Sequence, residues 1–227
     1  MIRMYRSLNK FVLIACLAAT FLSWSPQCRA QDQGPVTAEM VRESIDQGVK
    51  YLKGQQSKRG TWNDTAQYKG GVPALCSRAL LNCGVPPSEP VIQKALTTLR
   101  KVQLKKTYSV ALRTMVLCAA EPKRDQLAIQ ESVRWLESTQ LPTGLWSYPN
   151  GGGDNSNTQF AVLALHEAER AGAKGDPATW RRAAEYWSKC QNPDGSWGYQ
   201  AGWKEGQASM TCAGIGATVI CSGRVNP

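Results

Sequence analysis

The sequence holds a single histidine, His166, and no Cys-x-x-Cys pair anywhere. One imidazole and scattered thiols cannot supply the closely spaced donors of a zinc site, so no metal is expected. Its seven aspartates, at 32, 46, 64, 125, 154, 176 and 194, are never adjacent or one residue apart. No local aspartate cluster therefore exists to raise the acidity of one member or to hold a diphosphate-bound cation. A Gly-x-Ser-x-Gly elbow and a phosphate-binding glycine loop are both missing, and no cofactor is expected. Beyond residue 30 no run is apolar for the roughly 20 residues that a spanning helix needs.

What is present begins with a leader. Arg3, Arg6 and Lys10 precede an apolar stretch from Phe11 to Leu22, and Cys28-Arg29-Ala30 ends in a small residue. A basic start, a short apolar middle and a small-residue exit are the pattern of a cleaved signal peptide over residues 1–30. The chain is therefore expected to be secreted or periplasmic, and without a membrane span once cleaved. Leu13-Ile14-Ala15-Cys16 also has the look of a lipoprotein box, with Cys16 as the anchor, but its apolar stretch before the cysteine is short. The leader carries four of the 27 basic residues and none of the 17 acidic ones, leaving 23 against 17. The remaining excess of +6 is scattered apart from Arg100, Lys101, Lys105 and Lys106, which form no nucleic-acid motif, and nucleic acid is not expected as a partner. Of the six later cysteines, Cys76, Cys118 and Cys212 sit in apolar helical runs, where free cysteine behaves as a small hydrophobe. Export leaves one disulfide possible.

The strongest signal is a repeat. Tyr51-Leu52 leads to Gln56, Gly60 and Trp62; Trp135-Leu136 to Gln140, Gly144 and Trp146; Tyr186-Trp187 to Gln191, Gly195 and Trp197. A degenerate copy keeps Leu99 and Gln103 but has Thr107 and Ser109 in place of the glycine and tryptophan. Recurrence at this interval signals an array of small units, none able to bury its apolar face alone. Each unit reads as two helices. An amphipathic one precedes the glutamine, as with Val41, Ile45, Val49 and Leu52. After the tryptophan comes a loop and then an Ala-rich apolar helix: Ala74–Leu81, Val110–Ala120, Phe160–Ala168 and Gly214–Ile220. Small residues three apart (Ala111 and Thr114, Ala161 and Ala164, Gly214 and Ala217) suit close helix packing in an inner layer. Breakers such as Gly84-Val85-Pro86-Pro87, Gly151-Gly152-Gly153 and Asp176-Pro177 separate the helices. The expected organisation is a leader over 1–30, a linker over 31–38, a repeat domain over 39–223 and a tail over 224–227.

The Tyr/Trp-Leu-x3-Gln-x3-Gly-x-Trp element resembles the repeat of squalene and oxidosqualene cyclases. Asp154 to Ala161 is similar to the loop-to-inner-helix junction of prenyltransferase and squalene oxidase repeat proteins. The resemblance covers about Val41 to Ile220 and implies an all-α fold, an α/α toroid-like array of helical hairpins. With three clear units and one weak one, the array is expected to be incomplete, or open. It further implies that Gln56, Gln140, Gln191, Trp62, Trp146 and Trp197, with Gly60, Gly144 and Gly195, are structural residues. The Asp-x-Asp-Asp acid cluster, the Asp-Asp-x-x-Asp magnesium site and the zinc ligands of that family have no counterpart in this sequence.

Chemistry is thus left with few candidates. Asp154 and His166 are the candidate catalytic groups, and Asn155, Asn157 and Gln159 the candidate ligand contacts. They stand where a helix start favours an anion. The plainer reading is an N-cap for Asp154 or Asn155 and a packed helical residue for His166. The expected function is a non-catalytic binding or scaffold module for an apolar, isoprenoid-like ligand or a protein partner. The alternative is an enzyme related to terpenoid cyclases or prenyltransferases, or a piece of one, acting on an isoprenoid lipid. The segment 210–221, apolar nearly all round, is expected to self-associate.

Overall fold

A computed structural model describes residues 35–63, 69–148 and 153–225. The leader at 1–30, the cysteine box at Cys16, most of the linker and Gly151-Gly152 lie outside the described residues. The chain groups into two units, residues 1–43 and 44–227. In the first, Thr37 caps a helix start by accepting from the Met40 backbone N–H at 3.2 Å, and Arg42 pairs with Glu39 at 3.4 Å.

Every described secondary element is an α-helix: α1 (Ala38–Gln55), α2 (Gly71–Asn82), α3 (Pro90–Lys101), α4 (Thr107–Ala120), α5 (Gln126–Thr139), α6 (Asn155–Arg170), α7 (Pro177–Lys189) and α8 (Ala208–Val225). None is long and apolar enough to cross a membrane. In the second unit α2, α4, α6 and α8 pack in succession, while α3, α5 and α7 lie against that layer. This is the expected hairpin array, with inner and outer helices alternating along the chain. Ala111, Thr114, Ala161, Ala164, Gly214 and Ala217 are all buried. Small side chains in these places let the inner helices approach closely. Gly214 shows the need most sharply, since a Cβ there would run into the indole ring of Trp197.

Several boundaries differ from expectation. The inner helices start earlier, so Thr107 and Ser109 are buried residues of α4 rather than loop substitutes for the repeat's glycine and tryptophan. Gln103 is exposed in the segment between α3 and α4, and the degenerate unit has no turn of the repeat type. Helix α8 runs to Val225, into the expected tail. The stripe Val41, Ile45, Val49 and Leu52 does form one face of α1, but α1 has no fully buried residue. In α3 the same register is filled by Ile92, Ala95, Leu96 and Leu99, and in α5 by Ile129, Ser132, Val133 and Leu136, all buried. Burying one such aliphatic side chain is worth about 1.5–3 kcal/mol, so these stripes hold the outer helices in place.

Successive outer helices are also clasped at their ends. Lys53 pairs with Glu89, the residue before α3, at 3.0 Å. Arg100 forks onto Asp125, before α5, with both nitrogen–oxygen distances at 2.7 Å, and its Nη2 also meets Glu121 at 2.7 Å. Glu137 accepts from the backbone N–H of Asp176, before α7, at 2.5 Å. The half-buried Arg100 fork is geometrically the best of these, since a planar guanidinium matches a carboxylate with two parallel bonds.

Candidate functional site

The three repeat elements share one turn. Each glycine has positive φ (Gly60 79°, Gly144 93°, Gly195 86°) in a tight turn that a side chain would strain. Each turn is closed by a backbone pair, Ser57 N to Thr61 O at 2.8 Å, Leu141 N to Leu145 O at 2.9 Å and Asn192 N to Ser196 O at 2.8 Å. The indole N–H of each tryptophan then reaches back to the last turn of its outer helix. Trp62 donates to Leu52 O at 2.8 Å, Trp146 to Leu136 O at 2.7 Å and Trp197 to Trp187 O at 3.0 Å. Carbonyls of a last helical turn have no backbone N–H partner four residues on, so the tryptophan both fills the core and caps the helix end.

The glutamines connect neighbouring units. Gln56 Nε2 donates to Val91 O in the first turn of α3 at 2.7 Å. Gln140 Nε2 donates to Thr179 O in the first turn of α7 at 3.1 Å, while its Oε1 accepts from Arg182 Nε at 2.8 Å. Gln191 donates to Gly195 O at 2.9 Å, within its own turn. Two threonines, Thr158 and Thr211, accept the backbone N–H of Trp146 and Trp197 at 3.1 and 3.2 Å. Sequence reasoning missed them, although each stands a similar distance after its tryptophan.

The candidate chemical residues lie around the start of α6. Asp154 is its N-cap, with Oδ1 accepting from the Asn157 backbone N–H at 2.7 Å and Oδ2 from Asn157 Nδ2 at 2.8 Å. Asn155 is fully buried and joins two units: Nδ2 donates to Gly198 O at 2.8 Å, its backbone N–H to Tyr199 O at 3.0 Å, and Oδ1 accepts from Tyr186 Oη at 2.6 Å. Burial, with Cys190 beside it, pushes the Tyr186 phenol well above its ordinary value, so it remains a donor. Asn157 is buried too, and its Oδ1 has no hydrogen-bond partner among the described residues. Gln159 is half-buried on the second turn. Asp154, Asn155 and Asn157 are thus brought together, as helix-starting and unit-bridging groups.

His166 lies more than two turns further along α6, apart from that cluster. Its Nδ1 faces Arg224 Nη2 at 3.3 Å, and Arg224 Nε pairs with Glu169 at 3.1 Å. Burial first, then the Arg224 charge, lowers its pKa, so it is a neutral ring at neutral pH. No cluster of three or more His, Cys, Asp or Glu suited to a metal occurs among the described residues.

One concavity lies elsewhere, at the degenerate unit. An open cleft of about 540 Å³ is lined by residues 100–105 with Val110, Arg113, Glu131, Ser132 and Trp135. Arg113 donates to Val102 O at 3.2 Å and to Ser132 Oγ at 3.0 Å, and burial lowers its pKa.

No family model matches the chain. Among curated proteins it matches squalene–hopene cyclase of Bradyrhizobium diazoefficiens, at 27% identity over 163 residues. That stretch is 70% of this chain and 21% of the cyclase, so the chain spans about a fifth of the length of the relative it matches. The all-helical hairpin array and this match make the chain squalene cyclase-like.

Proposed function

We propose that the chain is an exported, non-catalytic relative of the prenyltransferase and squalene oxidase repeat proteins, serving as a scaffold that binds a partner through its hairpin array. The observation that carries this reading is the state of Asp154. It is the carboxylate best placed by sequence to be an acid, and both of its oxygens are spent on Asn157 at a helix start. A catalytic acid has to offer its proton to a substrate from a site that raises its reactivity. A capping carboxylate instead has its oxygens committed to the donors of the helix start. Asn155 is likewise committed, to Gly198 and Tyr186.

The test is incubation of purified protein with squalene and with prenyl diphosphates, alongside an Asp154→Asn variant. The expected result is no cyclised or transferred product from either, and a lower melting temperature for the variant. A product that vanishes in Asp154→Asn would make Asp154 the catalytic acid. The second reading, an isoprenoid-lipid enzyme or a portion of one, is favoured by the match to a squalene–hopene cyclase. Cell fractionation with and without residues 1–30 tests export separately.

A further inference from the structure

The third repeat element is built like the first two but lacks what they hold. At Gly60 a Cβ would run into the carbonyl of Lys94 on α3, and at Gly144 into that of Arg182 on α7. Each of those glycines is therefore the point where the next outer helix lays its backbone against the turn. At Gly195 the nearest atom to such a Cβ is Nε2 of Gln191, 4.0 Å away. Gln56 and Gln140 each donate to that next helix, whereas Gln191 bonds only within its turn among the described residues. Beside this vacant seat the outward face of α8 is bare, with Ile215 56% and Val219 65% exposed.

The other end of the array is the complementary half of the same junction. Helix α1 carries Ile45, Gly48, Val49 and Leu52 in the register that α3 and α5 bury. Yet Ile45 is 43% exposed, and among the described residues nothing lies within 4 Å of a Cβ built at Gly48. The acceptors in the filled junctions, Val91 and Thr179, stand twelve residues before the glutamines of their own units, Gln103 and Gln191. Twelve before Gln56 is Ser44. Lys94 and Arg182 stand nine before, and there α1 has Gln47.

We propose that two copies of this chain join head to tail: α1 of one copy docks on the α7–α8 end of the next. In this junction Gln191 donates to the backbone carbonyl of Ser44, Gly195 receives the backbone at Gln47, and Ile45 and Gly48 cover Ile215 and Val219. It rests on the scaffold reading above and names the partner as a second copy. Such a contact uses different surfaces on the two copies, so it propagates to a ring or a filament according to its rotation.

Sedimentation of the full chain across a dilution series, with end-specific variants, tests this. The parent is expected to self-associate. Ile45→Glu blocks one surface and Val219→Glu the other, and each should raise the association midpoint at least about tenfold, the effect of losing about 1.4 kcal/mol. Gly48→Gln is a second block on α1 that adds helix propensity, so a folding defect cannot mimic its effect. An equimolar mixture of Ile45→Glu and Val219→Glu should form a one-to-one pair and stop, because one good copy of each surface remains. A parent that stays monomeric, an Ile45→Glu variant that associates like the parent, or a mixture that stays monomeric overturns the proposal. A cyclised product in the squalene assay would sink the non-catalytic reading and leave this junction standing.

Discussion

Gly144 sits so close to Arg182 that a methyl group at 144 would occupy the place of the Arg182 carbonyl. That contact ties the second clear repeat turn to α7, and Gln140 completes it with bonds in both directions. Gly195 has the same backbone twist and, among the described residues, no such neighbour. Gly144→Ala and Gly195→Ala should therefore separate two costs. Both incur left-handed strain of about 1–2 kcal/mol. Gly144→Ala must in addition push α7 away, for a total of about 3 kcal/mol or more, in the range of overpacked cores. Urea melts at dilute protein would check it, and equal losses in the two variants would remove the close-approach role of Gly144.

The tryptophans make a graded series. Trp146 is fully buried, and its indole N–H caps Leu136. Trp146→Ala should cost about 3–5 kcal/mol, as for other buried aromatics. Trp146→Phe keeps much of the ring and leaves the Leu136 carbonyl only the Thr139 hydroxyl at 3.2 Å, for about 0.5–1.5 kcal/mol. Trp197→Ala should fall in the range of Trp146→Ala. If melting temperatures of both alanine variants match the parent, these residues are not core.

The repeat was legible because it is physical twice over. A glycine with positive φ and a tryptophan that must reach one carbonyl leave few sequences that can do both, so the pattern survives in the chain. Inner-helix starts were less legible. Thr107 and Ser109 occupy repeat positions in sequence, but a missing glycine leaves no turn, and the helix begins there instead. The stripe on α1 reads like those of α3 and α5, and only the neighbours differ, which no local pattern records. For the candidate site, sequence left the cap open between Asp154 and Asn155, and the structure makes it Asp154. The bridge from Asn155 to Gly198 and Tyr186 joins residues more than 30 apart and has no local signal.

Acid sensitivity should concentrate at the clasp between α3 and α5. Glu121 accepts from Gln93 Nε2 at 2.6 Å and from Arg100 at 2.7 Å, and these bonds hold its carboxyl below its ordinary value of 4.5. A depressed folded-state pKa gives stability that is present above the unfolded value and is lost as pH falls through the folded one. The parent should lose stability as pH drops below about 4.5. Glu121→Gln should start less stable at neutral pH and lose less over that acid range. Thermal melts from pH 6 to pH 3 would show it, and parallel curves would mean the clasp contributes nothing.

Helix α8 presents two cysteines on opposite faces, and their chemistry should differ accordingly. Cys221 is fully buried against the array, and burial pushes its thiol up to about 12. Cys212 is exposed, on the side of Ile215 and Val219. Since the thiolate is the nucleophile, a pKa near 12 leaves only about one Cys221 in ten thousand reactive at pH 8. Cys118, also pushed to about 12 by burial, should behave likewise, whereas Cys83 is exposed and should react. Iodoacetamide at pH 8 on dilute native protein, read by peptide mass spectrometry, should label Cys83 and Cys212 well before Cys118 and Cys221. Urea should bring all four to similar rates. Labelling of Cys221 as fast as Cys212 in native protein would mean that α8 does not hold this face against α6 and α7. The bare face of α8 would then be a feature of a loose helix rather than of a seated one.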